Sequence, residues 1–537
     1  MALSANVRAH SAPAATPEPP IVTVPRQYNF AADILARNLA AGRGGKAAFV
    51  DARGSWSYGA LAQRVDRFGA ILHSLGIQPE QRMLICLLDS IDWPTVFLGA
   101  LKAGVVAVPV NTLLTEDDYR FALADSRAKL LVVSDALYPK FANIVGSCPD
   151  LEHVIVSGHN RFGHSRLEDL LEQTREAPRA VETTCDDMAF WLYTSGSTGK
   201  PKGAVHVHAN LKLTHDLYGG PVLGLKERDV CYSVAKLFFA YGLGNALTFP
   251  MSVGATTVLL PDRPTPELVA GLLRRHPVTV FYGVPTFYAA FLASGIAPER
   301  SEVTLRRCVS AGEALPSDLG RRWLERYGID ILDGLGSTEM LHIFLSNRPG
   351  EVRYGTTGKP VPGYEIKLVG DDGWPVKKGE MGELLVKGPT SALMYWNNRA
   401  QSRTTFLGEW TRSGDKYIED EDGFFVYCGR GDDMLKVSGM YVSPFEVEAA
   451  LLTHVDVLEA AVVAGLDRDG LIKPKAFVVL KAGVKVTDAL GRALQDHVKS
   501  KLAPFKYPRW IEFRSELPKT ATGKIQRFKL REETAAR

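Results

Sequence analysis

Between residues 57 and 110 the hydrophobic residues change period repeatedly, and few architectures satisfy that change. Leu61, Val65, Phe68, Leu72 and Leu75 recur at alternating spacings of four and three, the apolar face of one helix. Ser57 is placed to cap its start and Gly76 to end it. Residues 83–88 then form a short continuous apolar run, residues 93–103 a second helical pattern, and residues 105–110 another run. Strand, helix, strand in this rhythm predicts βαβ units on a parallel sheet, because parallel neighbours need a crossover of that length. Further runs at 130–133, 154–156 and 189–193 continue it.

Near residue 430 the texture changes. The string GRGDD at 429–433 holds glycines and charges and no apolar residue, as a linker does. Beyond it, Ser443, Pro444 and Glu446 read as a capping box with proline at the first helical position. Apolar runs at 460–464 and 476–481 follow, then a helix with Leu490, Leu494, Val498 and Leu502 on one face. A chain of 537 residues exceeds one hydrophobic core. The predicted fold is therefore α/β: a large N-terminal domain of βαβ-type subdomains (25–431) and a small α+β C-terminal domain (432–537). Residues 1–24, rich in Ala and carrying Pro13, Pro17, Pro19 and Pro20, read as a mobile tail.

Charge and cysteine usage exclude several functions. Net charge is only +3, which gives no basis for expecting nucleic acid or an anionic membrane as partner. Residues 499–531 nevertheless hold ten basic and two acidic side chains, either a solvated face or a surface that meets the phosphates of a nucleotide or coenzyme A. Cys86, Cys148, Cys185, Cys231, Cys308 and Cys428 are scattered singly, arguing against zinc and a disulfide scaffold and for a reducing, cytoplasmic setting. No charged-then-apolar signal pattern opens the chain. The uncharged stretch 237–261 contains Gly242, Gly244, Asn245, Pro250 and Gly254, and so reads as buried core beside a site rather than a membrane span.

The string YTSGSTGKPKG at 193–203 follows a predicted strand and offers three glycines, four aliphatic hydroxyls and two lysines in eleven residues. Glycines let backbone N–H groups turn toward an anion, hydroxyls add donors, and lysines neutralise charge. Thr194, Ser195, Gly196, Ser197, Thr198, Gly199, Lys200 and Lys202 are thus equipped to hold a polyphosphate. The Walker loop GxxxxGK[ST] does not fit. Thr194 stands five residues before Gly199 where Gly is required, and Pro201 replaces the magnesium-binding hydroxyl.

The same string resembles the signature of the adenylate-forming superfamily, which comprises acyl-CoA synthetases, beetle luciferases and nonribosomal peptide synthetase adenylation domains. Other motifs of that superfamily occur in order over most of the chain. DGLGSTE at 333–339 resembles its second nucleotide motif. The resemblance implies adenine and phosphate contacts from Asp333, Gly334 and Leu335, a Thr338 bond to the α-phosphate, and Mg²⁺ at Glu339, an oxygen ligand suited to a hard cation. Leu335 departs from the usual aromatic residue, so apolar contact would replace ring stacking on adenine. Read without the resemblance, GSTE is helix N-cap chemistry.

SAGEA at 310–314 resembles the segment lining the adenine and acyl pockets, with Gly312 and Glu313 at the nucleotide; alone it reads as a turn into a helix. Asp415 and Arg430 would hold the ribose, and Asp432 would be the hinge of a C-terminal lid. The resemblance makes Lys524 the catalytic lysine of adenylation. It also places Lys436, Ser438 and Gly439 at a tunnel for coenzyme A.

A carboxylate is a poor acyl donor, and attack on the α-phosphate of ATP makes AMP the leaving group in its place. Bringing two anions together requires cations, here Mg²⁺, Lys200 or Lys202, and Lys524. A thiol then takes the acyl group. KLFFAYG at 236–242 resembles the acyl-pocket motif, with Ala240 where amino-acid-activating members place an Asp. A buried ammonium would lack a partner there. FFAYGLGN and GSTEMLHIF together resemble benzoate–coenzyme A ligases of aromatic-degrading bacteria, which implies a ring pocket of Phe239, Ala240, Tyr241, Ala311, Gly336, His342 and Ile343. His342 reads equally as a core histidine. The expected reaction is ATP-dependent formation of an aromatic acyl-adenylate and then an acyl-CoA by a monomer or homodimer. The alternatives are a hydroxy- or aminobenzoate, a shorter fatty acid, or a carrier-protein thiol as acceptor.

Overall fold

The helix predicted from the 57–75 spacing runs Tyr58–Ser74, with the Ser57 hydroxyl accepting from the Ala60 N–H and Leu61, Val65, Phe68 and Leu72 fully enclosed. Each such side chain contributes about 1.5–3 kcal/mol by leaving water. Gly76 takes φ +74°, the left-handed conformation a helix stop needs. The helix packs on its neighbour Asp92–Lys102, where Gly99 permits close approach: a Cβ there would lie 2.7 Å from the Phe68 ring.

The computed structural model describes residues 22–175, 178–194, 201–431, 433–437, 440–468, 471–519 and 525–535. The predicted tail lies almost wholly outside them. Among the described residues an eight-stranded sheet orders Met394–Tyr395, Lys202–Val207, Met188–Thr194, Val106–Pro109, Arg82–Cys86, Leu130–Ser134, His153–Ser157 and Ser165–Arg166. It is parallel from Met188–Thr194 onward, as the strand–helix rhythm predicts. A nine-stranded sheet has a parallel centre of Ile331–Gly336, Arg307–Ala311, Val280–Gly283, Val230–Ser233, Thr256–Val258 and Ala47–Asp51. Antiparallel strands Ile343–Ser346, Lys359–Pro360 and Gly54–Ser57 finish its edges. A five-stranded antiparallel sheet, with Trp410–Glu419 and Phe425–Arg430 among its strands, follows.

The C-terminal unit has its own core, with Val447, Leu451, Val462, Val478, Leu494 and Val498 buried between Val457–Leu466, Ile472–Leu480 and the helices Pro444–Leu452 and Asp488–Lys501. This is the α+β arrangement predicted.

Two local expectations need correction. Gly429 and Arg430 are not linker but the end of strand Phe425–Arg430, paired with Lys416 and Asp415: Gly429 is buried at φ +134°, a conformation that favours glycine, and Arg430 keeps its charge at the exposed last position. Only half of the capping box forms: Ser443 accepts from the Glu446 N–H at 3.2 Å, but the Glu446 carboxylate turns to Lys506 at 2.6 Å. The stretch 237–261 is buried beside the nine-stranded sheet, and among the described residues no helix is long and apolar enough to cross a membrane.

Candidate functional site

In parallel sheets, ligands collect beyond the C-terminal strand ends, where loops diverge. Ala311 and the residues Asp333 to Gly336 lie there. Strand Ile331–Gly336 delivers Asp333, Gly334, Leu335 and Gly336 and then turns through Thr338 and Glu339. No helix follows, so the N-cap reading of GSTE is overturned: the Ser337 hydroxyl accepts from the Met340 N–H at 3.2 Å within a tight turn that ends at Leu341, φ +65°.

Three neighbours clamp that turn. The Thr338 carbonyl accepts from His206 Nε2 at 2.7 Å, the Glu339 carbonyl from the Ala392 N–H at 2.7 Å, and the Met340 carbonyl from the Thr390 hydroxyl at 2.8 Å. The Tyr395 phenol donates to Glu339 Oε1 at 2.7 Å, and the Lys202 ammonium lies 4.7 Å above the Tyr395 ring. Glu339 thus presents a carboxylate whose Oε2 has no hydrogen bond among the described residues. A single carboxylate beside a hydroxyl fits Mg²⁺, which commonly takes its remaining ligands from water and substrate phosphates. No cluster of three His, Cys, Asp or Glu side chains converges among the described residues.

Lys202 begins the second strand of a hairpin whose first strand is Met188–Thr194, with Thr194 opposite Lys202 and Tyr193 opposite Gly203. Ser195, Gly196, Ser197, Thr198, Gly199 and Lys200, the connecting loop, lie outside the described residues. Its base is braced. Tyr193 donates to Asp125 at 2.7 Å, and Trp396 stacks on Trp191 at 4.7 Å. Gly203 leaves room for Trp191, since a Cβ there would lie 3.0 Å from the indole.

Beside the turn, Ala311 ends strand Arg307–Ala311 opposite Gly334, and Gly312 follows with φ +93°. SAGEA is therefore a strand end, and the next helix starts only at Ser317. Glu313 accepts from the Thr286 hydroxyl at 2.7 Å. Asp333 is 5% exposed and its Oδ1 has no partner; burial pushes the carboxyl up to about 8, against the weak pull of the Leu315 N–H at 3.5 Å. From the antiparallel sheet, Asp415 is buried opposite Arg430, whose guanidinium also donates to the Ser413 carbonyl at 3.2 Å.

The predicted ring-pocket residues also meet. Tyr241 lies 5.6 Å from His342 ring to ring, and its hydroxyl donates to the Gly283 and Val309 carbonyls, both at 3.3 Å. His342 Nε2 faces the Tyr241 carbonyl at 3.3 Å and Asn245 Oδ1 at 3.2 Å, so that nitrogen carries the proton, while Nδ1 is buried without a partner. Burial holds this imidazole down at about 3. Gly336 lies against the His342 backbone and Ile343 against Gly334. Phe239 and Ala240 open the short helix Ala240–Leu243 at the partly buried edge.

Lys236 and Asp89 were not singled out from sequence, yet they anchor this segment. Lys236 donates to the Leu260 and Asp262 carbonyls, and the Leu237 N–H donates to buried Asp89. His206, Asn210 and Tyr395 were missed too. The histidine and asparagine four apart after the loop, and the tyrosine in MYWNN, were the only sequence signals. Asp432, Ser438, Gly439 and Lys524 lie outside the described residues, and Lys436 is placed only as a member of strand Leu435–Val437.

A family model described as AMP-binding enzyme matches residues 36–396, and one described as AMP-binding enzyme C-terminal domain matches residues 446–524. A benzoate–CoA ligase of Thauera aromatica is 58% identical over 96% of this chain and 97% of its own. A solved benzoate CoA ligase from Burkholderia xenovorans superposes with a TM-score of 0.89 at 53% identity, covering 94% of this chain and all of the other. An anthranilate CoA ligase in complex with anthranoyl-AMP superposes at 0.91 with 44% identity, over 96% and 98% of the two chains.

Proposed function

The chain belongs to the AMP-binding enzyme family, and from that premise we propose that it is an acid–thiol ligase joining benzoate or a close relative to coenzyme A through an acyl-adenylate. The observation that carries the aromatic assignment is the uncharged pocket wall of Tyr241, His342 and Ile343, with Ala240 offering no charge to pair a substrate ammonium. Similarity to benzoate–CoA ligases along nearly the full chain supports the same reading.

In the proposed first step a carboxylate oxygen of the acid attacks the α-phosphorus of ATP, the bond to the β-phosphate oxygen breaks, and pyrophosphate leaves. Thr338 and the loop residues Thr194 to Lys200 hold phosphate oxygens, and Lys202 stands behind Glu339 at Tyr395. Mg²⁺ bound at Glu339 would offset the negative charge gathering on the phosphates. Gly312, Glu313, Asp333, Gly334 and Leu335 border the adenine, and Asp415 with Arg430 takes the ribose. Lys524 contributes its cation from the C-terminal unit. In the second step the coenzyme A thiol adds to the acyl carbon and AMP leaves, with Lys436, Ser438 and Gly439 along the thiol's approach after the unit turns about Asp432. Positioning and fixed charge supply the rate in both steps, and no protein nucleophile is required. Six unpaired cysteines support a cytoplasmic setting.

The test is product analysis with purified protein, ATP, Mg²⁺, coenzyme A and a panel of benzoate, hydroxybenzoates, aminobenzoates, phenylacetate and hexanoate. The unpartnered Nδ1 of His342 is a specific reason to include ring hydroxyl and amino groups. AMP, pyrophosphate and benzoyl-CoA in equal amounts are expected. ADP with orthophosphate would end the reading, and preference for hexanoate would end its aromatic part.

A further inference from the structure

The structure assigns to His206 the task of fixing the Thr338–Glu339 turn: its Nε2–H holds the Thr338 carbonyl from within the strand that leaves the phosphate loop. The inference rests on the reaction proposed above and adds a positioning residue to it.

Four observations carry it. His206 is fully buried on strand Lys202–Val207, its ring stacked on Phe190 of the paired strand at 5.3 Å. The Asn210 amide nitrogen is 3.1 Å from the Thr390 carbonyl, an acceptor only, which sets the orientation of that amide. The same nitrogen is 2.8 Å from His206 Nδ1 and donates to it, so the proton sits on Nε2 and points to the Thr338 carbonyl. Leu341, whose N–H also reaches that carbonyl at 3.2 Å, takes φ +65°, a conformation an L-residue adopts only where its surroundings impose it.

Both ring nitrogens are occupied and burial pushes the imidazole down to about 4, so His206 is neither a base nor a cation. It acts through Thr338 and Glu339. Buried hydrogen bonds that orient ligating groups typically change activity or metal affinity by about 10–100-fold when removed.

The experiment compares full-length wild type with His206→Phe, His206→Asn and His206→Gln. Phe keeps the stacked ring without a donor, Asn imitates only Nδ1, and Gln places an amide N–H near the position of Nε2. Two readouts are taken: benzoate-dependent exchange of pyrophosphate into ATP, and calorimetric affinity for AMP without magnesium. The Phe and Asn variants should lose about 10–100-fold in exchange kcat with benzoate KM within about twofold, and Gln should recover most of the loss. AMP affinity should fall in the Phe and Asn variants and return in Gln. Wild-type exchange rates in Phe and Asn, or a Gln variant as impaired as Asn, would overturn the assignment. Because Asn and Gln differ only in reach, the comparison stands even if Phe fails to fold. Wild type without exchange would sink the proposed function itself, whereas wild-type exchange with unimpaired variants sinks His206 alone.

Discussion

Asp333 stands where a buried carboxyl meets too few donors, and the consequence is measurable without substrate. Its folded form keeps a proton up to about 8, whereas the unfolded chain gives that proton up near the ordinary carboxyl value of 3.8. The folded state therefore binds more protons across that interval. Stability from this residue is fully present below the lower value and is lost as pH climbs through the upper one. Asp333→Asn removes the titration and keeps the shape. The variant's stability relative to wild type should rise with pH across the window, by as much as about 1.4 kcal/mol per unit, in urea unfolding at a series of pH values. Parallel pH curves for the two proteins would show that the carboxyl is not held in this way. The motif string exposed Asp333 to view; that it is protonated could only come from its enclosure.

At the scale of elements, the strands Ile331–Gly336 and Ile343–Ser346 meet in an antiparallel pair that carries candidate nucleotide residues on one arm and candidate ring-pocket residues on the other. Gly336 makes the pairing close: a Cβ there would lie 2.6 Å from the His342 carbonyl and 2.9 Å from the Ile343 nitrogen. Backbone atoms cannot swing aside as a side-chain tip can. Gly336→Ala should therefore spread the hairpin, lower the urea midpoint by an amount corresponding to about 1–3 kcal/mol, and raise the benzoate KM more than the ATP KM. Unchanged stability and an unchanged benzoate KM would show that the hairpin has slack. The helix Tyr58–Ser74 was legible because its apolar face repeats within the helix itself. The Ser337–Leu341 turn carries residues that would also suit an N-cap, because capping chemistry and turn chemistry use the same residues, and only the structure shows that no helix follows.

Along the whole chain the candidate nucleotide motifs precede residue 431, and the string PKTATGK, with Lys524, closes the stretch 446–524 that matches the AMP-binding enzyme C-terminal domain. The large and small units meet where the Phe445 ring packs edge-on against Tyr427 at 5.5 Å, next to the strand that ends in Arg430. A reaction in two steps, with a different nucleophile in each, suits a small unit that offers one face and then another. Lys524→Ala should cut adenylate formation by about 100-fold or more while sparing thioester formation from supplied benzoyl-adenylate, read as two separate half-reactions. Equal loss in both would show that Lys524 serves no single step.

The strand–helix rhythm of residues 57–193 and the strands and helices beyond residue 443 were legible in the chain itself, and so was the glycine, hydroxyl and lysine content of the 193–203 string, whereas the candidate ribose and ring-pocket residues came from resemblance to a family. Periodicity, caps and glycine-rich loops are local properties, written within a few residues of where they act. The residues that hold the site in shape were not. His206 reaches Thr338 across 132 positions and Tyr395 reaches Glu339 across 56. Neither has a neighbour in sequence that announces the partner. Only the tertiary fold brings side chains of the eight-stranded sheet within hydrogen-bond range of the turn that leaves the nine-stranded one, and burial then decides which atoms carry protons.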